Sequence, residues 1–165
     1  MLTIKNSSIL STITDVVVLS ANPSLLAGSG VSGAIHKAAG PLLEVAAKPF
    51  APLAPGHAII TPAFNLSAKY VIHTICPRYM DGQRGESEQL YNAYASALAL
   101  HSQAPDAKSI AFVSMGTGVY KWPLELAADI AVKALLTSTF DQTLMCVMDE
   151  ATQVVYQNAL DLYRN

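Results

Sequence analysis

The sequence predicts an α/β fold, helices packed on a central sheet, and three segments carry the prediction. Val16 to Leu19 is a β-branched apolar run suited to a strand buried on both faces; it breaks at Ser20-Ala-Asn22-Pro23, crosses Gly28, Gly30 and Gly33, and restarts as a helix around Ala34 to Gly40. Ile110 to Val113 repeats the pattern, followed by the glycine loop from Ser114 through Gly116 and Gly118 and a helical pattern from Leu124. Thr143 to Met148 reads as a last strand, and Asp149-Glu150 open a final helix through Leu162, where acidic residues suit the first turn. Strands alternating with helices make layers in which the sheet is covered.

The two glycine loops carry the chemistry. Glycine lets a backbone approach a ligand with no Cβ in the way, and the free N–H groups at a helix start attract anions, phosphate above all. Ligands of α/β sheets settle at the carboxyl ends of strands, so the two loops read as two walls of one cleft. Gly28-x-Gly30-x-x-Gly33 matches a dinucleotide fingerprint in spacing, but the acidic ribose partner expected about 20 residues on is reduced to Glu44, which falls early. A nicotinamide-type site is therefore a poor reading, and a tight connection without ligand is the alternative for this loop alone.

In chain order, Leu2 to Lys5 reads as a short strand entering the turn Asn6-Ser-Ser8. Leu42 to Lys48 is a second short helix, giving way to the proline-rich crossing from Pro49 to Pro55. Gly56 to Thr61 and Lys69 to Ile75 are strands joined by a turn at Ala63 to Ser67. His57 and His73 lie on them without a third ligand at metal-binding spacing, so structural histidines are expected and no metal. Pro77 to Gly85 is a polar loop with no strong signature, and Glu86 to Ala104 is an amphipathic helix with Leu90, Tyr94, Ala97 and Leu98 at helical spacing.

Length and charge bound the rest. The 165 residues make one domain, residues 1–165, large enough for a real core. A net charge of −2 gives no general attraction to nucleic acid or membrane, so an anion must be bound locally. Cys76 and Cys146 are the two cysteines; without a signal peptide they point to a reducing cytoplasm and to buried thiols rather than a disulfide framework. No apolar run is long enough to span a bilayer.

The chain resembles the macro domains, the ADP-ribose-binding family, and most closely their single-domain bacterial members. The matching blocks are Asp15 to Asn22, Gly28 to Pro41, Gly56 to Thr61, Ala68 to Pro77, and Thr117 to Tyr120 with Pro123, in family order over nearly the whole chain. The resemblance implies a three-layer α/β/α sandwich with a mixed central sheet. It implies a ligand such as ADP-ribose or a relative, free or on ADP-ribosylated protein, with no cofactor.

By resemblance the ligand-binding set is Ser8, Ile9, Asn22, Gly28, Gly30, Val31, Ser32, Gly116, Thr117, Gly118, Val119, Tyr120, Lys121 and Met148. Asn22 and Tyr120 are expected beside the distal ribose, and Ser8 and Met148 at the adenine end, where the family carries an aspartate and often an aromatic. Ser8 is uncharged and Met148 offers no π face, so that end reads as weakened, unless Ser7 and Ser8 merely form a turn. Leu19 replaces the first asparagine of the family's Asn-Ala-Ala-Asn.

Candidate catalytic residues are Asn22 and Ser32. The hydrolytic branch has an aspartate at position 32 that helps position a water; serine is a poor general base without a partner. His36, four residues on, reads as a packing residue of the helix. Lys121 replaces a family glycine and either strengthens anion binding or points to solvent. The expected function is ADP-ribose binding with weakened hydrolytic machinery; the alternatives are a hydrolase of O-acetyl-ADP-ribose or ADP-ribosylated protein, and a degenerate domain kept for protein contact or another phosphorylated ligand.

Overall fold

The computed structural model describes residues 1–118 and 120–164. In chain order it runs β1 (Leu2–Asn6), β2 (Val16–Ala21), α1 (Gly30–Ala39), α2 (Leu42–Ala47), β3 (Ala58–Pro62), β4 (Tyr70–Ile75), α3 (Glu86–Ala99), β5 (Ser109–Val113), α4 (Leu124–Leu135), β6 (Gln142–Val147) and α5 (Glu150–Arg164). The six strands form one sheet in the order β1-β6-β5-β2-β4-β3. All neighbours are parallel except β3 and β4. That exception follows from connection length: β3 and β4 are joined by a short loop, which permits only an antiparallel return, whereas the β4–β5 and β5–β6 connections carry helices.

Strand alternation divides the core in two. Val16 and Val18 of β2, Ile110 and Phe112 of β5 and Met145 and Val147 of β6 point to the face covered by α3, α4 and α5. Val17, Leu19 and Ala21, with Ala111, Leu144 and Cys146, point to the face covered by α1 and α2. Burial on both faces explains why these strands are almost continuously apolar. The result is the three-layer sandwich with a mixed sheet that the sequence implied.

Two boundaries differ from the sequence expectation by more than two residues. Helix α1 begins at Gly30 rather than Ala34, so Val31 and Ser32 sit in its first turn. Helix α3 ends at Ala99 and tightens into a 3-10 turn over Leu100–Gln103. Pro105 disfavours helical backbone at Ala104, and His101 turns away to bond the Ala107 carbonyl and Thr139 hydroxyl. Among the described residues, no helix is long and apolar enough to cross a membrane.

Candidate functional site

Strands β1, β6, β5 and β2 are parallel and adjacent, so their carboxyl ends share one edge of the sheet. Every sequence-derived site segment follows one of those ends: Ser8 and Ile9 after β1, Asn22 to Ser32 after β2, Gly116 to Lys121 after β5, and Met148 after β6. Between β2 and β5, pairing stops after Val16↔Ile110 and Val17↔Ala111, while β2–β4 and β5–β6 stay paired along their length. The sheet therefore opens between β2 and β5 toward this edge, with one glycine loop on each side of the opening.

The first loop is tied down internally. The Asn22 side chain donates from Nδ2 to the Leu26 carbonyl at 2.8 Å and accepts the Leu26 N–H at 3.3 Å. Its amide thus closes a turn, and one Nδ2 hydrogen remains for a ligand. Leu25, at φ +56, plugs the core beneath the turn, and the proline-rich crossing supports it through Leu53 N–H donating to the Pro23 carbonyl at 2.9 Å. The Glu44 carboxylate of α2 accepts the Ala27 N–H at 2.7 Å. At Gly33 a Cβ would collide with the Gly28 carbonyl, so only glycine lets α1 start against its own loop. No side chain caps α1 and no acidic residue occupies its first turn. Among the described residues, the N–H groups of Gly30, Val31 and Ser32 meet no acceptor, which leaves three donors and the positive helix end for an anion.

The second loop is held from below by two buried tyrosines. Tyr94 of α3 accepts the Met115 N–H at 3.0 Å, and Tyr156 of α5 lies 2.6 Å from the Ser114 hydroxyl, itself 3.4 Å from Thr117 Oγ1. Burial pushes the Tyr156 phenol up to about 12, so it serves as a neutral hydrogen-bonding group. Gly116 adopts φ +89, and a Cβ there would run into the Trp122 indole. The Trp122 N–H returns to the Gly116 carbonyl at 2.9 Å. Gly116, Thr117 and Gly118 offer N–H groups without an acceptor among the described residues. Lys121 is exposed and also has a positive φ, +61. A glycine at that position would meet the turn without strain. Val119 lies outside the described residues.

Ser32 is half-buried in the first turn of α1, and among the described residues its hydroxyl has no hydrogen-bond partner. His36 is buried, with its ring edge toward His73 at 6.2 Å between centroids. Burial lowers the His36 pKa against the raising effect of Glu44. No Ser32–His36 pair exists to make a nucleophile. His73 bonds Thr61 Oγ1 through Nε2 at 3.0 Å, its Nδ1 has no partner among the described residues, and burial, helped by His36, pushes its pKa down to about 3. Among the described residues no three side chains of metal-ligating type cluster. Burial pushes the Cys76 thiol up to about 12 and raises Cys146 as well, so neither is a ready nucleophile.

At the outer end of the edge, Ser8 caps a 3-10 turn at Ile9–Ser11, accepting the Leu10 N–H at 3.2 Å. The turn reading of this serine is thus the geometry present. The Ile9 side chain is in the core, so only its backbone faces the edge. Met148 is 68% exposed at the end of β6, free to lie against a planar group. Glu44, Tyr94 and Tyr156 carry no sign of this role in the sequence, because each supports a loop from another element. A buried hydroxyl or carboxylate in a helix pattern carries no local mark of what it bonds.

A family model described as Macro domain matches residues 18–131. An O-acetyl-ADP-ribose deacetylase of Klebsiella pneumoniae (strain 342) is 45% identical over 158 residues, covering 90% of this chain and 90% of that protein. Among solved structures, a variant Oceanobacillus iheyensis macrodomain with ADPR superposes at TM-score 0.90 and 34% identity, covering 99% of this chain and 93% of that one. A Trypanosoma brucei macrodomain in complex with ADP-ribose superposes at TM-score 0.84 and 30% identity, covering 96% of this chain and 68% of that one.

Proposed function

The chain belongs to the macro domain family, and from that premise we propose that it binds ADP-ribose or an ADP-ribosyl derivative across the opening between β2 and β5. The diphosphate lies between the amides of Gly28 to Ser32 and those of Gly116 to Gly118. The distal ribose lies toward Asn22 and Tyr120, and the adenine toward Ser8, the Ile9 backbone and Met148. The observation that supports this best is the pair of glycine loops on one sheet edge, each with N–H groups that meet no acceptor among the described residues. Amides converging at a helix start and in a glycine turn gain from an anion, which no side chain supplies among the described residues.

The binding reading extends to weakened hydrolysis. Neutral Ser32 stands where the hydrolytic branch has an acid, and among the described residues its hydroxyl has no hydrogen-bond partner to take its proton. Backbone contacts to phosphate survive that change, because they do not depend on the side chain. A second reading, hydrolysis of O-acetyl-ADP-ribose or of mono-ADP-ribosylated protein, is favoured by the name of the 45% identical relative and by the spare hydrogen of Asn22.

Calorimetry with ADP-ribose, ADP, AMP and NAD tests the first reading. The expected order is ADP-ribose and ADP above AMP, since AMP lacks the second phosphate; no heat with any of them ends it. Turnover of O-acetyl-ADP-ribose by the wild type and by Asn22→Ala tests the second, which requires hydrolysis that the substitution removes.

A further inference from the structure

We propose that Glu86 is a positioning residue for the second glycine loop, acting through the segment 77–84 without touching the ligand; the proposal rests on the binding reading above. Glu86 opens α3 and is 3% exposed. Its Oε2 accepts the N–H groups of Met80, Asp81 and Gly82 at 2.8, 3.0 and 3.1 Å, and Oε1 accepts Arg84 N–H at 2.7 Å. Four main-chain donors converging on one carboxylate fix the curl of the loop, and Gly82 and Gly85, at φ +77 and +76, let the backbone wrap round it.

The other end of this segment is bolted to the phosphate-facing loop. Tyr79 N–H donates to the Tyr120 carbonyl at 3.1 Å, and the Trp122 indole N–H donates to the Pro77 carbonyl at 2.9 Å. The Tyr79 and Trp122 rings pack at 5.0 Å, and the Arg78 guanidinium lies 5.7 Å from the Tyr120 ring centre. Trp122 in turn fills the space a Cβ at Gly116 would need. The order of control is Glu86 to residues 80–84, these to Pro77 and Tyr79, these to Tyr120 and Trp122, and Trp122 to Gly116. A preorganised set of amides loses less freedom on binding, so loosening it costs affinity.

Trp122 is the only tryptophan in the chain, which makes its fluorescence a reporter of the joint. Glu86→Gln keeps the size of the side chain but turns one acceptor into a donor facing N–H groups. In the ligand-free, folded variant the Trp122 emission shifts to the red, and calorimetric ADP-ribose affinity falls about tenfold, while Glu88→Gln, at an exposed carboxylate in the same first turn of α3, changes neither. Trp122→Phe, which removes the bond to Pro77 and leaves the carboxylate alone, lowers affinity in the same direction and covers the case in which Glu86→Gln does not fold. Unchanged affinity in a folded Glu86→Gln, or unchanged emission, overturns the proposal. A wild type that binds no ADP-ribose ends the binding reading instead, and the emission shift then tests the coupling by itself.

Discussion

The Cα of Gly33 faces the carbonyl oxygen of Gly28 with no room for a side chain between them. This contact lets the first turn of α1 start directly behind the loop that it must serve. Gly33→Ala forces loop and helix apart, with an expected loss of about 1–3 kcal/mol from overpacking and a larger proportional loss of ADP-ribose affinity. Gly30 differs: it has φ +63 but open space around it, so Gly30→Ala costs only the left-handed conformation, about 1 kcal/mol. Chemical denaturation of both variants, set beside calorimetry, separates crowding from backbone strain; equal effects would contradict the contact.

The same loop hangs on Glu44 through the Ala27 N–H. Replacing the half-buried carboxylate by alanine frees the loop rather than the fold. The expected loss is roughly 1 kcal/mol of binding, about fivefold in Kd, with little change in melting temperature. A variant that melts much lower while binding ADP-ribose normally would make Glu44 a fold residue.

Burial makes His73 a source of acid sensitivity. Its pKa, about 3 in the folded protein against 6.5 ordinarily, means that the unfolded chain takes up a proton that the folded one refuses. The stability this represents is complete above pH 6.5 and declines as pH falls toward 3, by about 1.4 kcal/mol per pH unit. His36, whose pKa is also lowered by burial, adds to the slope. His73→Asn flattens the curve of denaturation midpoint against pH between 7 and 5; parallel curves for wild type and variant would refute the assignment.

Much of the candidate site was legible because it is made of backbone. Glycines spaced after a buried-strand run mark the loops directly, and the shared sheet edge follows from parallel strands. What the sequence concealed is support from a distance. Glu44 looked like a misplaced ribose acid and is a loop tether; Tyr94 looked like packing and holds the Met115 amide. The segment from Pro77 to Gly85 had no signature because its order comes from one carboxylate in the next helix. Asn22, read as a ligand contact, spends part of its amide on Leu26.

At the proposed adenine end, Met148 is exposed and offers no π face. Met148→Phe adds a stacking partner, with an expected gain of about 0.5–1.5 kcal/mol for ADP-ribose and none for ribose 5-phosphate, which has no base. A gain shared by both ligands, or by neither, would place the adenine elsewhere.

Substitution of Ser32 tests the binder against the hydrolase. It lies in the first turn of α1, where a carboxylate is favoured by the helix end, so Ser32→Asp should fold without penalty. If the missing acid is what limits hydrolysis, O-acetyl-ADP-ribose turnover rises in Ser32→Asp by about 100-fold, the lower range for a positioned acid or base, while ADP-ribose affinity drops modestly from repulsion of the diphosphate. Ser32→Ala should leave turnover and affinity near wild type, because the hydroxyl has no partner among the described residues and the N–H groups of the helix's first turn are unchanged. Should Ser32→Ala abolish turnover, the serine itself takes part in the chemistry and the weakened-site reading falls.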